Sequence, residues 1–204
     1  QPSVLPDIAY PWQWQLARLH QAEGDTDLAI RSYRQAVTTL RSVRNNLLPI
    51  DSEVQFSFRD NVEPVYRELV DLLLRPDNLS PDTLREAIGL IDTLQLAELE
   101  SFLQCNLATA EIDEDVIDPT AVNVYSIILP DRLETIIARS GRDNRQRLTR
   151  ERHYISQADL EDTLTQLQTN LSSPSGNNRV KRIAGNLYDW MLAPLESQLD
   201  PDSP

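Results

Sequence analysis

The residue types able to do covalent chemistry are few in this chain. Cys105 is the sole cysteine, and His20 and His153 are the two histidines. A thiolate nucleophile needs an imidazole within hydrogen-bond reach and a group to orient it. Cys105 follows a helical apolar stripe, whereas His153 lies in a charged, strand-like run without a glycine-rich turn beside it. A small packed thiol and a surface imidazole are therefore expected, and a cysteine hydrolase using Cys105 is the alternative. One cysteine excludes an internal disulfide and a cysteine metal cage. The acidic run Glu111, Asp113, Glu114, Asp115 and Asp118 lacks the alternating ligands and central glycine of a calcium loop, so a solvated linker is expected and no metal or cofactor. Arg139, Arg142, Arg145, Arg147, Arg150 and Arg152 form the basic cluster. Only Tyr154 stands by for base stacking, and Asp143 and Glu151 interrupt the charge, so the arginines are expected to pair with local carboxylates.

Composition narrows the classes further. The 204 residues carry a formal charge of -13, which opposes a role built on neutralising phosphates and fits protein partners rather than nucleic acid. Hydrophobic content of 40% and charged content of 25% are those of an ordinary globular chain. No apolar run has the length of a membrane span, so no membrane partner is expected, and a cytoplasmic location is favoured unless an upstream leader was removed.

The elements that must position these residues are mostly helical. Apolar residues recur at helical steps from Pro11 to Ala22, and then from Asp27 through Ala29, Tyr33, Ala36, Val37, Leu40 and Leu47. Gly24 permits the turn between the two helices. Ala17 and Ala29 allow close approach, with Tyr33 and Ala36 filling the groove. Trp12 and Trp14, at helical spacing, are expected in the core. A third block, Ser52 to Arg75, has Pro64 inside its pattern, which predicts a kink or break over 60–63. Ser80 and Pro81 restart a helix that reaches about Asn106. From Ala121 the pattern becomes β-branched: strands are expected over 122–129, 133–138 and, at an edge or with one face exposed, 147–155. Ser156 and Asp159 open a helix through Leu171. A last helix carries Val180, Ile183, Leu187 and Met191, and Pro194 perturbs its end.

The hairpin Trp14 to Ala36 resembles a tetratricopeptide unit, with Ala17, Gly24, Ala29, Tyr33 and Ala36 at its structural positions. Such a unit does not bury its apolar face alone. Further along, the run from Phe56 to Leu74, the run Leu94 to Phe102, the hairpin Tyr125 to Glu134 and the helix Leu187 to Glu196 resemble, in that order, segments of cyanobacterial CHAT proteins, caspase-like domains associated with tetratricopeptide repeats. The resemblance implies a repeat-like region over 1–118 and, over 119–204, the amino-terminal, non-catalytic half of a CHAT region. In that family the proposed histidine–cysteine dyad belongs to a later portion, expected beyond Pro204, so no catalytic role passes to any residue here. The fold expected is mainly α with a small α+β part: helical hairpins, then a three-stranded antiparallel sheet with two helices. The function expected is a non-enzymatic scaffold that binds proteins and supports a downstream caspase-like cysteine peptidase. An exposed apolar surface or open sheet edge should accompany it, with self-association as one way of covering it.

Overall fold

A computed structural model describes residues 6–47, 61–103, 122–140, 146–171 and 177–196. The chain divides into two compact units, 1–111 and 112–204.

The first unit is a helical series. Helix α1 is Pro6–Ala22 and α2 is Thr26–Leu47. Their junction follows from local chemistry. Gly24 takes φ +82°, where a side chain is strained, and this lets the Asp25 amide donate to the His20 carbonyl at 2.9 Å and close α1. Asp25 then caps α2, its Oδ1 accepting from the Leu28 amide at 3.1 Å. Helix α3 is Glu63–Leu73 and α4 is Pro81–Leu103. Ser80 caps α4 by accepting the Thr83 amide at 3.1 Å. The unit's core takes Tyr10 and Ala17 from α1, Ala29, Tyr33, Ala36, Val37 and Leu40 from α2, Val65, Tyr66, Leu69, Leu72 and Leu73 from α3, and Leu94 from α4.

One expectation needs correction here. Pro11 does not start α1 but lies inside it, with one turn of helix before it. At the sixth position of the helix its ring takes the place of the amide that would reach back to the Asp7 carbonyl, so α1 gives up one intrahelical bond near its start. The break expected over 60–63 is present: α3 begins at Glu63 with Pro64 in its first turn, where the missing amide is harmless, and Asn61 and Val62 make a wider turn ahead of it. The expected helical residues 52–60 lie outside the described residues.

The second unit holds a three-stranded antiparallel sheet in the order β1-β2-β3, with β1 Val122–Ile128, β2 Leu133–Ser140 and β3 Gln146–His153. The register places Glu134 between Ile127 and Arg152, and Leu133 between Ile128 and His153. Period-2 alternation then sends Leu133 and Glu134 to opposite faces. Helix α5, Gln157–Leu171, begins at Ser156, which accepts the Asp159 amide at 3.1 Å while its hydroxyl donates to Asp159 Oδ2 at 2.6 Å. Helix α6, Asn177–Met191, ends in a single 3-10 turn, Ala193–Leu195, at the proline expected to perturb it. Leu133, Leu160 and Leu187 form the core between sheet and helices, with Ile128, Ile155, Leu167, Trp190 and Met191 packed on them. The architecture is mainly α with a small α+β part, as the periodicities require.

Candidate functional site

In the helical unit the polar chemistry converges on Glu68 of α3. Trp14 Nε1 donates to Glu68 Oε2 at 2.7 Å, Arg18 Nε donates to the same oxygen at 2.9 Å, and Arg18 Nη2 donates to Oε1 at 2.5 Å. The Tyr33 hydroxyl lies 3.0 Å from Oε2 and 2.9 Å from Gln21 Oε1, so its single proton is shared between two acceptors. The Arg18 guanidinium also sits 4.0 Å over the Trp14 ring. Burial pushes the Glu68 carboxyl up, but hydrogen bonds from Arg18, Trp14 and Tyr33 outweigh it and hold the group below the usual carboxylate range. Burial pushes the Tyr33 phenol up, and the Glu68 charge adds to the shift. A charged carboxylate under a neutral phenol is thus the stable state of this cluster.

These groups open onto a pocket of about 460 Å³ lined by Arg18, Gln21, Ala22, Tyr33, Glu68 and Arg75. Arg75 pairs with Asp71 at 2.7 Å. The pocket therefore presents ion pairs already formed, and a ligand would have to displace Arg18 from a two-pronged contact to reach the carboxylate. The cluster holds α1, α2 and α3 together. Arg34 does the same for α2 and α4, with both its Nε and Nη2 donating to Glu86 at 2.6 Å.

The second unit has its own buried carboxylate. Glu134 is fully buried on β2 and accepts Arg132 Nε at 2.8 Å and Arg152 Nε at 2.7 Å on one oxygen. Arg150 Nε stands 3.7 Å from the other oxygen. Arg132 also pairs with Asp131 at 2.7 Å. Part of the basic cluster is thus arranged around one acid rather than along a nucleic-acid face. Arg142, Arg145 and the acidic run lie outside the described residues.

The residues chosen from sequence fall into place unevenly. Ala17, Ala29, Tyr33 and Ala36 are fully buried together in the hairpin, and Gly24 turns it. Cys105 lies outside the described residues. His153 stacks on Trp190 with ring centroids 5.8 Å apart and planes 22° from parallel, so its imidazole face is engaged in packing. Trp14 is part-buried as expected, but Trp12 is 73% exposed, a correction to the core assignment. The two tryptophans are two positions apart on one helix, and residues so spaced point to different sides. Leu16 and Leu19 follow Trp12 at the next turns, also exposed. Glu68 and Glu134 escaped the sequence reading. Their sign there is faint: single carboxylates embedded in apolar runs, Val65–Leu69 and Leu133–Ile137.

Among the described residues no group of histidine, cysteine and carboxylate side chains could hold a metal ion, and no helix is long and apolar enough to cross a membrane. Compared with known proteins, the chain matches no family model, no curated protein and no solved structure.

Proposed function

We propose that this chain is a non-catalytic scaffold, its helical unit docking partner proteins and its α+β unit supporting a caspase-like cysteine peptidase domain of the kind the CHAT resemblance implies. The observation that carries the reading is the line of Trp12, Leu16 and Leu19 along α1, spaced by four and three residues and exposed at 73%, 45% and 53%. Single exposed leucines are ordinary, but a large aromatic and two leucines in one line on one helix make a face suited to another protein. The polar groups point the same way. Glu68 and Glu134 both have arginines bonded to them, an arrangement that ties helices and strands rather than one poised to transfer a proton.

Two readouts test it. A cysteine-directed peptide probe is expected to leave the chain unlabelled; labelling lost in Cys105→Ala would instead return the reading to a hydrolase. In calorimetry, a caspase-like domain from a CHAT protein is expected to bind the chain, with Trp12→Ser weakening binding by about tenfold, the loss of one good anchor. No binding at all would remove the scaffold reading.

A further inference from the structure

The sheet of the second unit has two edges of opposite character. Along β3 stand Arg147, Arg150, Glu151 and Arg152, charges of the kind that keep a strand edge from pairing further. The β1 edge, Val122–Ile128, has no charged residue, no proline and no glycine, and it pairs with β2 residue for residue without a bulge. The hairpin decides which backbone groups this edge offers. The Leu129 amide donates to the Arg132 carbonyl at 2.9 Å, which makes these two a hydrogen-bonded pair. By alternation Ile127 and Glu134, Tyr125 and Ile136, and Asn123 and Ala138 are hydrogen-bonded pairs as well. The amides and carbonyls of Val122, Val124 and Ser126 therefore point away from β2. Among the described residues no further strand lies on that side, and no hydrogen bond reaches these three from it. Asn123, Val124 and Ser126 are exposed, whereas β2 is buried throughout 133–138.

We infer that the β1 edge takes up an extended, uncharged segment of a partner protein as a fourth strand. The backbone dictates the shape of the occupant. Outward donors and acceptors at every second residue are matched by another extended chain, not by a helix, whose backbone groups are bonded within itself. The side chains dictate its composition. A strand laid beside β1 sets one row of its residues against Val122, Val124 and Ser126 and the other against Asn123, Tyr125 and Ile127. Valine, isoleucine and threonine pair well with such neighbours, and a charged residue among them finds no opposite charge. A second copy is the poorer occupant. Each copy carries a formal charge of -13, and Asp118 stands four residues, hence at most about 14 Å of chain, before Val122. Antiparallel pairing of two β1 strands would bring that acid toward the Asp131 turn of the other copy. The edge is separate from the Trp12 line on α1, and different variants distinguish the two.

The probe is a fluorescent peptide of about eight residues alternating valine and threonine, N-methylated at every second amide. It keeps one edge able to pair and does not stack on itself. A twin methylated at every amide has the same side chains and no strand donors. In anisotropy against the whole chain, the probe is expected to bind at least about tenfold tighter than the twin. Val124→Pro should weaken it about tenfold, because that amide faces outward and its loss costs no bond to β2, which an unchanged circular dichroism spectrum verifies. Val124→Lys keeps every backbone group and should weaken it about threefold by placing a charge at the edge. Trp12→Ser should leave it unchanged. In amide exchange followed by NMR, Val124 and Ser126 should exchange fast in the free chain and slow by about tenfold with saturating probe, while Asn123 and Ile127 are slow throughout. Failure of the probe to bind would overturn the inference, as would equal binding of the twin or indifference to both Val124 variants. Slow exchange of Val124 and Ser126 in the free chain would overturn it too. Protection lost on dilution assigns the edge to a second copy, and protection that persists assigns it to a segment of the chain itself.

Discussion

Glu68 accepts from three side chains on two other helices, and the direction of its pKa shift turns that geometry into a prediction. Its folded value lies below the ordinary carboxylate value of about 4.3. The unfolded chain therefore binds the proton more readily, so the stabilisation is complete above that ordinary value. It is lost as pH falls through the depressed folded value. Urea unfolding of the parent and Glu68→Gln should differ by about 1–3 kcal/mol at pH 7, the cost of leaving Arg18 and Trp14 with a weaker acceptor. The gap should close toward pH 3. A gap that persists unchanged at pH 3 would show that the carboxylate charge is not what the cluster depends on. Glu134 differs in kind: it is fully buried with a nearly buried Arg132, so its arginines compensate a desolvated charge and hold β2 to β3 at one register.

At the scale of elements, the hairpin shows what sequence makes legible. Ala17, Gly24, Ala29, Tyr33 and Ala36 were readable because spacing along a helix fixes which residues share a face, and a glycine between two such stripes marks the turn. The same local logic placed all three strands and the caps at Ser80 and Ser156. Glu68 was not readable, because its donors lie 54, 50 and 35 residues away and only packing brings them together. Trp12 was misassigned because it stands two positions from Trp14, a spacing that turns it away from the buried side of α1. Glycine position yields a paired prediction. Gly24 has φ +82°, so Gly24→Ala should destabilise the helical unit by about 1–2 kcal/mol from backbone strain alone, an added Cβ there meeting nothing within 4 Å. Gly89 is inside α4 and equally open, so Gly89→Ala should stabilise by about 1 kcal/mol. Denaturant midpoints that move in the same direction for both would contradict the assignment of the turn.

For the molecule as a whole, charge and exposed apolar surface act against each other. The formal charge of -13 keeps copies apart at neutral pH while Trp12, Leu16, Leu19 and Phe102 stand in solvent. That repulsion fades as carboxylates take up protons and vanishes near the isoelectric point of about 4.5. The apolar faces do not titrate, so their attraction survives where the repulsion is gone. Light scattering should therefore be lowest near pH 7 and rise toward pH 4.5. It should fall again below that value as net positive charge builds. Trp12→Ser should reduce the rise, because removing the largest exposed aromatic on α1 lowers the apolar area available for contact. At pH 3 the variant and parent should again scatter alike. If the variant scatters as strongly as the parent at pH 4.5, association there runs through loss of charge alone, and the exposed line on α1 loses its standing as the adhesive face of the helical unit.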